Sequence, residues 1–336
     1  MSEVVQVERL TKIYPISTTR RGRDPSIALH AVDGIDFTVH DGEVFGLLGP
    51  NGAGKTTTIR MLTGLTRPTS GRAALLGMQL DSDMARIKKR IGVVPEVSNL
   101  YDELTALDNL VFSMQLYGVP RAERKPRAEA LLERFRLSEK RDAPFAKLSR
   151  GMKRALTIAT ALAHHPPLIF LDEPTTGLDV MSARNLRRMI ANLRDEGVTV
   201  LLTTHYLEEA ERLCDRVAIL VKGRIVAIDS VEGLKSQTQP ELSQGEITPI
   251  IVEVTLAAED GGVETRRVEA PDVRKAVEKA LSLANGQQVL AVNTLRPTLE
   301  DVFVKLTGMS AEIMLAEKGG KGPALSAVEG GGNAGG

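Results

Sequence analysis

The chain has no tryptophan and one cysteine, Cys214, in 336 residues. A single thiol excludes an intrachain disulfide and a cysteine metal cluster, and it fits a reducing compartment. Cys214 falls in the helical pattern of residues 207–217, where a packed or half-exposed thiol is expected rather than a nucleophile. Net charge is also missing, because 43 Lys and Arg balance 43 Asp and Glu. No global field points to nucleic acid or an anionic membrane, so no nucleic-acid partner is expected. No run approaches the roughly 20 apolar residues of a membrane-spanning helix. The most apolar segments, 168–171 and 198–202, have strand length. Met1, Ser2 and Glu3 lack the basic-then-apolar order of a signal peptide. What is present is length enough for two domains, one with a sizeable core.

The pattern along the chain alternates strands and helices, which implies an α/β core. Residues 4–7 and 35–39 read as strands. Between them, 16–29 carries Arg20, Arg21 and Arg23 and reads as a mobile loop, either solvated or touching lipid headgroups or a partner. Residues 43–48 form a short apolar run suited to a buried parallel strand. Residues 69–77 read as a turn and strand, 84–89 as a short helix and 91–94 as a strand. A helical lobe is expected over about 97–165. Strand–helix alternation returns with 168–171, 182–196, 199–203 and 208–215. A hairpin follows around Lys222 and Gly223. Residues 236–245 read as a linker. A compact α/β appendage is expected over 246–310, ending in a helix at 299–307. The Gly-rich tail, 318–336, cannot bury enough apolar area to order itself.

Three constellations carry chemistry. Residues 49–56 read Gly49, Pro50, Asn51, Gly52, Ala53, Gly54, Lys55, Thr56, the phosphate-loop spacing. Backbone N–H groups at the mouth of a helix, here with Thr57 in its first turn, favour a polyphosphate. Lys55 can reach the β- and γ-phosphates, and the Thr56 hydroxyl can ligate Mg²⁺. The second constellation is Asp172 and Glu173 at the end of an apolar strand. Ligands of parallel sheets sit beyond the carboxyl ends of strands. Asp172 can there hold Mg²⁺, and Glu173 can orient or deprotonate a water. The third is His205, at the end of the next strand, where an imidazole can touch a γ-phosphate. His30, His40, His164 and His165 have no such placement and read as surface or helix-end residues.

With these in order, Leu148, Ser149, Arg150, Gly151 and Met152 resemble the signature loop of ATP-binding cassette (ABC) transporter ATPases. The resemblance covers 4 to about 235. It implies a P-loop NTPase cassette, with a RecA-like mixed sheet and a helical lobe, in the ATP-binding unit 1–235. Ser149 and Gly151 are then expected to meet the γ-phosphate held by a second copy, with two Mg-ATP between head-to-tail protomers. Asp179, after Gly177 and Leu178, occupies the D-loop place, and His205 the switch place. Tyr14 occupies the place of the adenine-stacking aromatic, or packs at its strand end. Leu100, Tyr101, Leu104 and Leu107 are contacts for a polytopic membrane permease, or lobe core. The implied protein is an ATPase on the cytoplasmic face of a membrane.

Two departures stand out. Arg150 replaces a glycine of the signature. Glu96 replaces a glutamine that would offer an uncharged oxygen to Mg²⁺ or water. Glu96 keeps oxygens, as a metal or catalytic ligand, but adds charge near Asp172 and Glu173. The segment 295–303 resembles the tail of daunorubicin-type drug-resistance export ATPases. Two other readings stay open: a soluble ABC ATPase of iron–sulfur assembly or translation, and a cassette that binds ATP with little hydrolysis.

Overall fold

The computed structural model describes residues 2–15, 28–237, 250–257, 262–270, 272–284, 287–295 and 297–309. The arginine-rich loop through Arg23, most of the expected linker and the Gly-rich tail lie outside the described residues.

The central sheet has the order β10-β9-β3-β8-β7-β6. Its strands are β3 (Val44–Leu48), β6 (Ile91–Val94), β7 (Leu168–Asp172), β8 (Thr199–Thr204), β9 (Arg216–Val221) and β10 (Arg224–Ser230). All neighbours are parallel except the β9–β10 hairpin. Strand alternation decides which side each residue fills. Phe45, Leu47, Leu168, Phe170 and Leu201 enter the core on one face. Val44, Leu48, Ile169, Leu171, Val200 and Leu202 enter the core on the other. Both faces are covered, so these strands are apolar throughout, as buried parallel strands are.

The first face is covered by an antiparallel sheet, ordered β2-β1-β4-β5. It contains β1 (Glu3–Pro15), β2 (Ala28–His40), β4 (Ser70–Leu75) and β5 (Met78–Gln79), with α2 (Leu80–Lys88) following. β1 and β2 run 13 residues each, well beyond the short segments read from the sequence. Register shifts between Val7 and Ile13 break the alternation that would have marked them as long strands.

On the second face lie α3 (Ala106–Leu116), α4 (Arg121–Arg134) and α5 (Arg150–Ala161), the expected lobe, with α6 (Val180–Asp195) and α7 (Leu207–Leu213). Leu110, Leu132, Phe145 and Leu156 share one apolar cluster with β7 and β8, so lobe and sheet are packed as a continuum. Cys214 caps α7 rather than lying within it, and it is buried. A β-carbon on Gly46 would stand 2.7 Å from its sulfur, so a larger residue there would have to displace it. Burial pushes the thiol pKa up.

His164 stands just past the end of α5, as its helix-end reading implied, but it is not a surface residue. It is half-buried, stacks on Tyr117 at 3.7 Å between ring centroids, and its Nε2 lies 3.0 Å from the Ile91 carbonyl. Burial lowers its pKa from 6.5 to about 4. Folding therefore favours the neutral ring. As pH falls from about 6.5 to about 4 the unfolded chain takes up the proton first, and stability drops. His164→Gln should flatten that limb of a melting-temperature profile, by on the order of 2–4 °C. An unchanged slope would rule out this residue as the cause.

Towards the C-terminus, β11 (Ile250–Ala257), β12 (Val263–Ala270) and β13 (Val289–Leu295) form a sheet ordered β12-β11-β13, backed by α9 (Val273–Leu283). Val252, Val254, Leu256, Val268 and Ala276 make its separate core. The final helix, α10 (Leu299–Thr307), does not join it. Leu299, Val302 and Phe303 are fully buried in the central core, against α7 and α8 (Val231–Ser236). Within the span 246–310 expected to form the appendage, this last described helix packs on the central core. Burying each of these side chains contributes roughly 1.5–3 kcal/mol. The Leu299 N–H also donates to Glu211 of α7 at 3.3 Å.

Candidate functional site

The site forms where β3, β7 and β8 end on one edge of the central sheet. β3 runs into the phosphate loop, and α1 (Lys55–Leu62) starts behind it. Gly54 has φ 110°, and a β-carbon there would lie 2.4 Å from the Ala31 carbonyl oxygen. A side chain on Gly49 would meet the Leu220 carbonyl at 2.1 Å. The loop is pressed against two strands and leaves no room for side chains at these points. The first-turn N–H groups of α1, including those of Thr56 and Thr57, have no carbonyl partner within the helix.

Lys55 is buried and points back over its own loop. Its Nζ donates to the Gly49 carbonyl at 2.7 Å and to Pro50 at 3.2 Å, and pairs with Glu173 Oε1 at 3.1 Å. This ammonium is the buried cation nearest the loop that an entering anion would meet. Glu173 is held by several partners. His205 Nδ1 lies 2.7 Å from its Oε2, and the Thr176 hydroxyl donates to that oxygen at 3.1 Å. Burial pushes its pKa up, but the hydrogen bonds and charges of His205 and Lys55 outweigh burial and hold it down at about 2. Its backbone is left-handed, φ 48°, a conformation costing a non-glycine residue roughly 1–3 kcal/mol. Its N–H donates to Thr203 Oγ1 at 2.9 Å.

Asp172 sits one residue earlier and is also buried. The hydroxyls of Thr203 and Thr56 donate to its Oδ1 at 2.6 and 3.2 Å. Burial raises its pKa, the hydroxyls oppose this, and Glu173 and Glu96 add to the rise. Crowded acids of this kind are relieved by a cation. Among the described residues no three His, Cys, Asp or Glu side chains converge on a metal position. The oxygen donors Thr56 and Asp172 instead suit Mg²⁺, which keeps most of its waters and is completed by phosphate oxygens.

A cleft of about 650 Å³ is lined by Tyr14, Asn51, Gly52, Gly54, Lys55, Thr56, Thr57, Glu96, Glu173 and His205, while Asp172 lies behind Thr56 and does not line it. Ser149 and Gly151 do not line it. They border a second cleft of about 320 Å³, with Leu178 and Ser182. Ser149 caps α5, its Oγ accepting from the Met152 N–H at 3.3 Å. A β-carbon on Gly151 would stand 2.5 Å from Ser182 Oγ, so the close approach of α5 to Ser182 leaves little room for a side chain there. Arg150 donates to the Gly177 carbonyl at 2.7 Å. Asp179 caps α6, accepting from the Ser182 N–H and hydroxyl at 2.9 and 2.7 Å. One chain thus presents two groups of predicted residues at two places.

Sequence reasoning missed Thr203, Glu209 and Arg154. Glu209 accepts from the Thr204 hydroxyl at 2.6 Å, one helical turn after His205, and burial raises its pKa. Arg154 lies on the inward face of α5, four residues before Ile158 and seven before Ala161. That spacing was the available signal for its burial.

A family profile described as ABC transporter matches residues 32–176. The Nod factor export ATP-binding protein I of Ralstonia nicotianae is 40% identical over 322 residues, spanning 91% of this chain and 94% of the relative. The chain belongs to the ABC transporter family. The cassette is also 37% identical over 295 residues to the daunorubicin resistance ATP-binding protein DrrA2 of Streptomyces coeruleorubidus, spanning 84% of this chain and 92% of that one. Among solved structures, the ATP-binding cassette MJ0796, dimeric in a post-hydrolysis state with ADP and Pi, aligns with a TM-score of 0.61. The identity is 25%, over 67% of this chain and 98% of the other. The cassette is therefore an ATP-binding ATPase with the P-loop NTPase fold, as its phosphate loop and signature implied.

Glu96 is the departure with a measurable consequence. It adds a carboxylate to the cleft that also holds Glu173, and its charge raises the Asp172 pKa. Glu96→Gln should leave ATP turnover unchanged or raise it, because it removes a like charge beside Asp172. A sharp loss of turnover would instead mark Glu96 as an adapted part of the reaction.

Proposed function

We propose that the chain is the ATP-hydrolysing subunit of an export complex. Two copies associate head to tail around two Mg-ATP and drive separate polytopic membrane subunits. The observation that carries this reading is the division of the site. The 650 Å³ cleft holds Lys55, Glu173 and His205, while Ser149 and Gly151 open elsewhere on the same chain. A second protomer, turned to face the first, brings its helix α5 N-terminus to the triphosphate. Helix dipoles and capped first turns favour anions there.

In this reading Lys55 and the loop N–H groups take the β- and γ-phosphates, and Tyr14 takes the adenine. Thr56, Asp172 and Glu96 supply oxygens to Mg²⁺ and its waters. Glu173 accepts the proton of the attacking water, and His205 orients it. Asp179 lies at the protomer seam. Loss of the γ-phosphate removes the bridging charge and lets the pair separate. Residues 1–235 form the ATP-binding unit, with an accessory sheet beyond it. Export is supported by the names of the Nod factor and daunorubicin relatives.

No helix among the described residues is long and apolar enough to cross a membrane. We therefore assign membrane attachment, at the cytoplasmic face, to a partner. Leu100 and Leu107 pack against the core, whereas Tyr101 is 53% exposed and is the better candidate contact. Affinity capture from detergent-solubilised membranes tests the assignment. A polytopic membrane protein should co-purify in stoichiometric amount. Recovery of ribosomes or an iron–sulfur scaffold instead would overturn it.

A further inference from the structure

Arg154 is a buried cation that no part of the reading above uses. It is 7% exposed, and its guanidinium is spent entirely on backbone carbonyls. Nε donates to Pro174 at 2.9 Å and Nη2 to Asp172 at 2.7 Å. Nη1 donates to Pro95 and, at 3.4 Å, to Glu96. The first pair of acceptors flanks Glu173 on both sides. The second pair belongs to the loop after β6 that carries Glu96. Nothing but a planar, multi-donor cation can span these groups, since a lysine ammonium is a single point on a flexible stem.

Glu173 needs such a support. Its backbone is held at φ 48°, a region a β-carbon disfavours, and persists only where its surroundings over-determine it. The Thr203 hydroxyl takes its N–H, and the two carbonyls beside it are fixed by one guanidinium. Arg154 also stands on α5, five residues beyond Ser149 and three beyond Gly151. Burial lowers the Arg154 pKa to about 10, while Asp172, Glu209, Glu96 and Glu173 oppose the shift, so the group remains cationic at neutral pH.

We infer that Arg154 is the positioning residue for Glu173, fixing the carbonyl groups of the residues before and after it and linking them to the Glu96 loop and to the signature helix. The inference rests on Glu173 being the group that activates water. It gives the site a mechanical connection in which displacement of α5 by a second nucleotide is delivered to the carboxylate within the same chain.

The test uses the full-length chain with Arg154→Lys, Arg154→Met and Glu173→Gln, alone and as the Arg154→Lys/Glu173→Gln pair. Initial ATPase rates are measured against ATP concentration, with trinitrophenyl-ATP binding and thermal unfolding as controls. Arg154→Lys should lower kcat about 10- to 100-fold, the scale of a misplaced reacting group, with KM and analogue affinity within about threefold of wild type. Arg154→Met should be at least as slow. In the Glu173→Gln background, Arg154→Lys should change the residual rate by no more than about twofold, because the group it positions is already gone.

A wild-type kcat in Arg154→Lys, with Glu173→Gln inactive, overturns the inference alone. So does an equal fall in both backgrounds, or the loss of cooperative unfolding in Arg154→Lys, which would make the role one of holding the fold. Wild-type turnover in Glu173→Gln would sink the underlying reading of Glu173 and this inference with it.

Discussion

Glu173→Gln should reduce ATP turnover by at least about 10²-fold, and by up to about 10⁴-fold, the range carried by a positioned general base. Binding should survive. The amide keeps the size of the carboxylate and can still accept from the Thr176 hydroxyl, now 3.1 Å from Oε2. Affinity for ATP should equal or exceed that of wild type, because Glu173 pairs with Lys55 at 3.1 Å and so competes with the phosphates for it. Hydrolysis blocked and binding intact together predict that Mg-ATP drives the variant into a stable dimer, seen by sedimentation. Turnover within a few-fold of wild type would remove Glu173 from the base role.

The same substitution has a second signature. The Glu173 pKa is held at about 2 against an ordinary 4.5, so the charged form is favoured by folding. That stabilisation is present above about pH 4.5 and is lost as pH falls towards 2. Glutamine has no proton to gain, and the acid limb of its stability profile should be shallower. A variant that lost turnover but kept the wild-type acid limb would show that the ion pairs around residue 173 contribute little in solution.

Most of the chemistry of this cleft is written locally in the chain. Gly49 to Thr56, Asp172 with Glu173, and His205 each follow a short apolar strand. Parallel strands deliver their carboxyl ends to one edge of the sheet, so three local signals become one place. The parts that escaped reading are those whose meaning depends on a distant partner. The Thr203 hydroxyl serves both Asp172 and the Glu173 N–H across two strands, and nothing in a threonine-rich strand marks it. Arg154 has the periodicity of a buried position and the chemistry of a surface one. Its burial makes sense only with four carbonyls from two other loops beside it. Helix α10 shows the same limit at the level of packing. Leu299, Val302 and Phe303 announce an apolar face at helical spacing, but not the surface that receives it. The neighbouring sheet was the nearer choice in sequence, and the α7–α8 surface is the one used.

Lys55→Ala should weaken ATP binding by about 30- to several-thousand-fold, the 2–5 kcal/mol that follows loss of one partner of a buried charge pair. The lysine is 5% exposed, in a loop that otherwise offers an anion chiefly backbone N–H groups. A direct measurement on this variant is confounded, because the ammonium is also the ion-pair partner of a 7% exposed carboxylate. Removing it leaves Glu173 with His205 and Thr176 as its remaining side-chain partners, and breaking buried pairs is strongly destabilising. The two effects separate in the Lys55→Ala/Glu173→Gln pair. With the stranded charge gone, the double variant should melt close to Glu173→Gln, well above Lys55→Ala. Its affinity for ATP should stay as low as that of Lys55→Ala, since the missing group is the one that met the phosphates. Recovery of affinity in the double variant would mean that Lys55 serves to neutralise Glu173, and that the loop backbone binds the triphosphate without it.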